Sequence, residues 1–186
     1  MGQIQAIPRS ALVTLSGPAL CNEFPVSRSL LTLTEPFRSN AVAFVEALRA
    51  AGAVVTIGMT RIPLERAYLM YWSWRIAVGT ADPARVPMMS GIEIDWTHSG
   101  NAEAAHTSAI LMKHQFRLKS APPLRSHHTE GRAFHMKIQF GWALSVMDRE
   151  KQHWPVACQS DLFPVGARYG VLKQRDIPCR WSDDGK

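Results

Sequence analysis

Between Ser126 and Phe140 a polar, histidine-bearing stretch gives way to strict alternation, and no other segment restricts the fold as much. Phe134, Met136, Ile138 and Phe140 are apolar at every second position, the period of a strand with one buried face. Ala133, His135, Lys137 and Gln139 therefore share the opposite face. His128 lies just upstream, with Gly131 between it and the strand. A histidine on the open face of a buried strand, reached by a histidine on the preceding loop, can hold a metal ion in a cleft.

The flanking sequence supplies helices and short strands. Residues 1–35 carry Pro8, Pro18 and Pro25 and read as an irregular N-terminal arm. Thr34-Glu35-Pro36 opens a helix in which Ala41, Phe44, Val45 and Leu48 fall on one face. Gly52 stops it, and a short buried strand follows at residues 53–57. Pro63 starts a second helix rich in aromatics, Tyr68, Tyr71, Trp72 and Trp74, which read as core. Ile92 to Trp96 form a short strand. Asn101 caps a third helix running to about Leu118. Residues 142–158 read as a hairpin and residues 161–172 as a last helix.

Composition narrows the function classes. Hydrophobic residues make up 46% and charged residues 19% of the 186, the balance of a globular domain. The formal charge of +6 suits a polyanionic partner. Its Lys and Arg are spread along the chain with no cluster beside exposed aromatics, which argues against nucleic acid. No apolar run reaches the length of an integral membrane segment. There is no obvious signal peptide, so the expectation is cytoplasmic synthesis with release to the cell wall, or export by another route. Three cysteines, Cys21, Cys158 and Cys179, do not form a disulfide framework. His98, His106 and His114 read as solvated or hydrogen-bonded rather than as ligands.

Ser126-x-His128-x-x-Gly131-x-Ala133 resembles the signature of the zinc D-Ala-D-Ala carboxypeptidase family, which includes L-alanyl-D-glutamate endopeptidases and the hedgehog signalling domain. Thr60-Arg61 after a strand resembles that family's arginine facing the substrate carboxylate. Asp176-x-Pro178-Cys179-Arg180-Trp181-Ser182-Asp183-Asp184-Gly185 resembles its closing acid-x-x-His-Trp block. The resemblance implies an α+β fold, a small antiparallel sheet with helices packed on one face, over a single peptidase-like domain at 36–186. It implies a Zn2+ cofactor and a peptidoglycan stem peptide as partner.

The ligands depart from the family pattern. His135 replaces an aspartate, and the third ligand position is Cys179 or Arg180, depending on where one extra residue is placed. His128, His135 and a Cys179 thiolate would leave zinc with the same total charge as the family's two histidines and one carboxylate. An arginine there cannot ligate. Glu150-Lys151-Gln152-His153-Trp154 is a competing match to the closing block. The resemblance then implies peptide hydrolysis. Asp176, or Glu150 in the other register, takes the proton of the attacking water. Arg61 pairs with the substrate carboxylate or the developing oxyanion, and Ser126 hydrogen-bonds the substrate. The alternative is a catalytically inactive cell-wall-binding module on the same fold. Oligomeric state is not written in the chain.

Overall fold

The computed structural model of the chain describes residues 13–174 and 176–186. The first part of the arm expected at 1–35 therefore lies outside the described residues. Strand β1 (Thr14–Leu15) precedes helix α1 (Phe37–Ala50), strand β2 (Val54–Ile57) and helix α2 (Leu64–Ala77). Strand β3 (Ile94–Asp95), helix α3 (Ala102–Gln115) and the one-turn helix α4 (His127–Glu130) follow. The chain then forms β4 (Ala133–Gln139), β5 (Leu144–Met147), β6 (His153–Val156), α5 (Leu162–Arg168), β7 (Leu172–Lys173) and β8 (Arg180–Ser182). This is a mixed α+β chain with small antiparallel sheets.

Two compact units emerge. The chain up to Phe24 belongs with Glu65–Leu124, while Pro25–Leu64 belongs with Arg125–Lys186. The 36–186 stretch expected as a single domain is thus shared between them.

In the second unit four antiparallel strands run in the order β2-β4-β8-β7. The alternation of β4 is realised: Phe134, Met136 and Ile138 are buried, while Lys137 and Gln139 are exposed. The apolar face packs on α1 through Phe44, Val45 and Leu48, and on α5 through Leu162 and Val165. Phe44 is fully buried, with its ring 5.4 Å from that of Trp181 on β8. Each such side chain contributes about 1.5–3 kcal/mol by leaving water. The hairpin β5–β6 adds Leu144, Val146 and Val156 to the same core. Its turn is tied by the buried Asp148 carboxylate, which accepts from the Glu150 and Gln152 amides, both at 2.9 Å, and from the Trp154 indole at 2.8 Å.

One stop motif ends four helices, α2 among them, where the Thr80 and Gly79 amides donate to Arg75 O and Ile76 O. After α1, the amide of Ala53 donates to Leu48 O at 3.0 Å and that of Gly52 to Arg49 O; Gly52 has φ 94°. After α5, Val171 and Gly170 repeat these bonds to Gly166 and Ala167. The helix expected to reach Leu172 stops there, and Leu172 joins β7 instead. After α3, Leu118 and Arg117 close on Lys113 and His114. Arg117 takes the left-handed conformation, φ 56°, where glycine is usual. The helix therefore ends at Gln115, short of the expected Leu118.

In the first unit β1 pairs in parallel with β3. Asn101 caps α3, as its sequence suggests, by accepting from the Ala104 amide at 3.0 Å. Tyr68 and Trp96 are buried, and the Trp96 indole donates to the Tyr68 hydroxyl at 3.1 Å. Trp72 packs against the same cluster. His98 takes a hydrogen-bonded role, its Nε2 lying 2.9 Å from Ser16 Oγ.

Candidate functional site

Ser126, His128, Gly131 and Ala133 have legible local roles. Ser126 is the N-cap of α4, its hydroxyl accepting from the Thr129 amide while the Thr129 hydroxyl accepts from the Ser126 amide at 2.8 Å. Its side chain is committed to the helix, not presented to a ligand. Gly131 ends the turn at φ 71°, and an added Cβ would lie 3.1 Å from Thr34 N. Both the turn and the close approach require glycine. Ala133 is fully buried at the start of β4.

The segment after β2 then orients both imidazoles. The His135 amide donates to Met59 O, and the Gly58 amide donates to His135 O, each at 2.8 Å. A Cβ on Gly58 would stand 3.1 Å from His135 Cβ, so this glycine leaves the room that His135 occupies. His128 Nδ1 lies 3.3 Å from Thr60 O, and the Ile62 amide donates to His128 O.

These constraints bring His128 Nε2 to 3.2 Å from His135 Nε2, with the rings at 78°. A carbonyl can only accept, so His128 carries its proton on Nδ1, facing Thr60 O. Its Nε2 is then a lone pair, and His135 Nε2–H donates to it. Burial pushes the His128 imidazolium down to about 4, helped by the charges of His135 and Arg180. Burial also lowers His135, as do Arg180 and Lys173. Both rings are therefore neutral at pH 7.

The pair suits two ligands of one tetrahedral zinc. Nitrogens at 2.0–2.1 Å from the ion would be about 3.3 Å apart. The third position does not fit. In the β4–β8 ladder His135 is the partner of Arg180, so the two side chains share a face. Arg180 puts a positive charge where a zinc centre needs a donor. Cys179, the third donor expected from spacing, is one residue out of phase. Its carbonyl accepts from the Met136 amide at 2.9 Å. With Phe163 and Trp181 it lines a cavity of about 320 Å³ on the helix-packed side. His153 sits on the hairpin, bonded through Nδ1 to Ser145 Oγ at 3.0 Å. Asp176 and Arg61 are exposed, and Arg61 makes only a long contact of 3.5 Å to Thr32 O.

The guanidinium itself is incompletely served. Arg180 Nε is buried with no hydrogen-bond partner among the described residues. A buried donor left this way costs about 1–3 kcal/mol, more when charged.

A second group was not anticipated. His127, Asp183 and Asp184 bring donor atoms within 4.8 Å of one another, and could hold a metal ion. Arg132 already neutralises it, with Nε 2.6 Å from Asp183 and a terminal nitrogen 3.7 Å from Asp184. His127 Nε2 is 2.9 Å from Asp184 Oδ2. Burial raises the Asp184 carboxyl, but the His127 bond and the Lys186 amide outweigh it and hold it at about 2. The sequence signal was present in the adjacent histidines and the paired acids, but the family pattern assigned no role to them.

Compared with protein families, curated proteins and solved structures, the chain matches none. Among the described residues no helix is long and apolar enough to cross a membrane.

Proposed function

We propose that this chain is a divergent, non-hydrolytic relative of the zinc D-Ala-D-Ala carboxypeptidase class, a hedgehog-like fold that recognises peptidoglycan stem peptides. The observation that supports it is the His128–His135 pair, closed to 3.2 Å on the open face of an antiparallel sheet with Arg180 opposite. The Ser-x-His-x-x-Gly-x-Ala turn resembles that of a peptidase site, with His135 where the family carries an aspartate. The cation beside it disfavours a zinc ion and favours a peptide carboxylate. Thr60 and Gly58 hold the imidazoles rigidly, so the site is preformed for binding. Its chemistry is recognition: with His128 Nδ1 on Thr60 O and the two Nε2 atoms paired with each other, the donors for a ligand come from the guanidinium fork.

The second reading is a zinc-dependent peptidoglycan peptidase. It is favoured by the match between 3.2 Å and the separation expected for two zinc-bound nitrogens. One experiment separates them. The chain is incubated with a stem pentapeptide ending in D-Ala-D-Ala, with zinc or with chelator, and followed by calorimetry and mass spectrometry. Chelator-resistant binding without cleavage is expected. Cleavage that depends on zinc would replace the proposal with the second reading, and absence of binding in both conditions would remove it.

A further inference from the structure

We infer that Arg180, beside His135, forms a carboxylate-binding subsite, with the guanidinium gripping the terminal carboxylate of a peptide at the place where a metal ligand would otherwise stand. Three observations converge. Arg180 and His135 are cross-strand partners on the open face of the sheet. Arg180 Nε is buried without a partner, and no carboxylate lies within salt-bridge distance of this guanidinium among the described residues. The nearby anion, Asp184, is engaged elsewhere by His127, Arg132 and the Lys186 amide.

The local field is positive, and the nearby Asp184 carboxylate offsets it only in part. Lys173 adds a second charge, and its ammonium donates to Gln174 O and, at 2.7 Å, to Ile177 O. Those bonds hold it beside Cys179 and over the Phe163 and Trp181 rings, so its charge reaches His135 from the other side of the sheet. An arginine matches the two oxygens of a carboxylate better than a lysine could, because its donors are coplanar and parallel. A partly dehydrated guanidinium with an idle N–H is preorganised for such a ligand, since little further desolvation is needed on binding.

The subsite rests on the proposed function only for the identity of the peptide. The probes are N-acetyl-D-Ala-D-Ala, its C-terminal amide, and N-acetyl-L-Ala-L-Ala, titrated into the full chain by calorimetry in chelator. The free acid is expected to bind, and the amide to bind roughly tenfold or more weakly. Arg180→Gln is expected to abolish that difference and Arg180→Lys to restore part of it. Equal affinity for acid and amide on the unaltered chain overturns the inference, whether or not the variants fold. Acid-specific binding of the L-peptide as tight as the D-peptide, lost in Arg180→Gln, keeps the subsite and removes the stem-peptide reading. D-peptide binding indifferent to Arg180 does the reverse. No binding of any carboxylate removes both.

Discussion

Arg180 stands directly across the β4–β8 ladder from His135, so a fixed positive charge faces an imidazole that is otherwise set up to ligate. On the proposed reading, charge at this one position decides between a metal centre and an anion receptor.

Arg180→His is therefore expected to create a zinc site. It replaces the repelling cation with a third imidazole beside two whose Nε2 atoms are already 3.2 Å apart. About one zinc per chain should be retained after dialysis, with affinity about tenfold or more above the unaltered chain. Atomic emission on dialysed protein reads the stoichiometry. If the unaltered chain already carries a full zinc equivalent, the electrostatic argument is refuted.

The buried His128 gives a pH signature. Its folded value, about 4, lies below the ordinary 6.5. The unfolded chain thus takes up a proton first as pH falls. Stability from this group is fully present above 6.5, is lost progressively between 6.5 and about 4, and levels off below. Denaturant midpoints measured in chelator at pH 7 and pH 4.5 should differ in the unaltered chain, and His128→Gln should shrink the difference. An unchanged difference would show that the ring is not buried as a neutral group.

Ser126→Ala removes the cap of α4, where the Ser126 hydroxyl accepts from the Thr129 amide. A loss of about 1 kcal/mol is expected from equilibrium denaturation. The His128 ring should also become less well fixed, visible as broadening of its imidazole signals in NMR. A stability loss without that broadening would mean that Thr60 and Ile62 alone position the histidine.

Gly166→Ala tests the packing under the sheet. An added Cβ would lie 2.6 Å from Val171 O and 2.7 Å from Trp181 Cζ3. Neither backbone nor a buried indole can yield cheaply, so a loss of about 1–3 kcal/mol is expected. A midpoint equal to that of the unaltered chain would show that α5 can move away from β8.

Much of this was readable in advance where one segment suffices. The β4 alternation, the Gly52 stop and the Asn101 cap are decided by neighbours in sequence. The spacing of His128 and His135 was readable too, but their approach also depends on the distant segment after β2, which orients both rings. What could not be read depends on pairing. β7 and β8 have two and three residues, too few for a period to show. Whether Cys179 or Arg180 faces His135 is a question of register, and a shift of one residue exchanges the two faces. The stop at Arg117 was hidden because a non-glycine residue takes the left-handed turn.

β8 is the last strand along the chain, yet it lies between two earlier ones, β4 and β7. Until it inserts, β7 has no partner in this sheet and His135 is paired only on its β2 side. Assembly of this half of the protein therefore cannot proceed strand by strand from the N-terminal side. It needs β8 in place to bridge β4 and β7, which ties the candidate site to a strand paired on both sides.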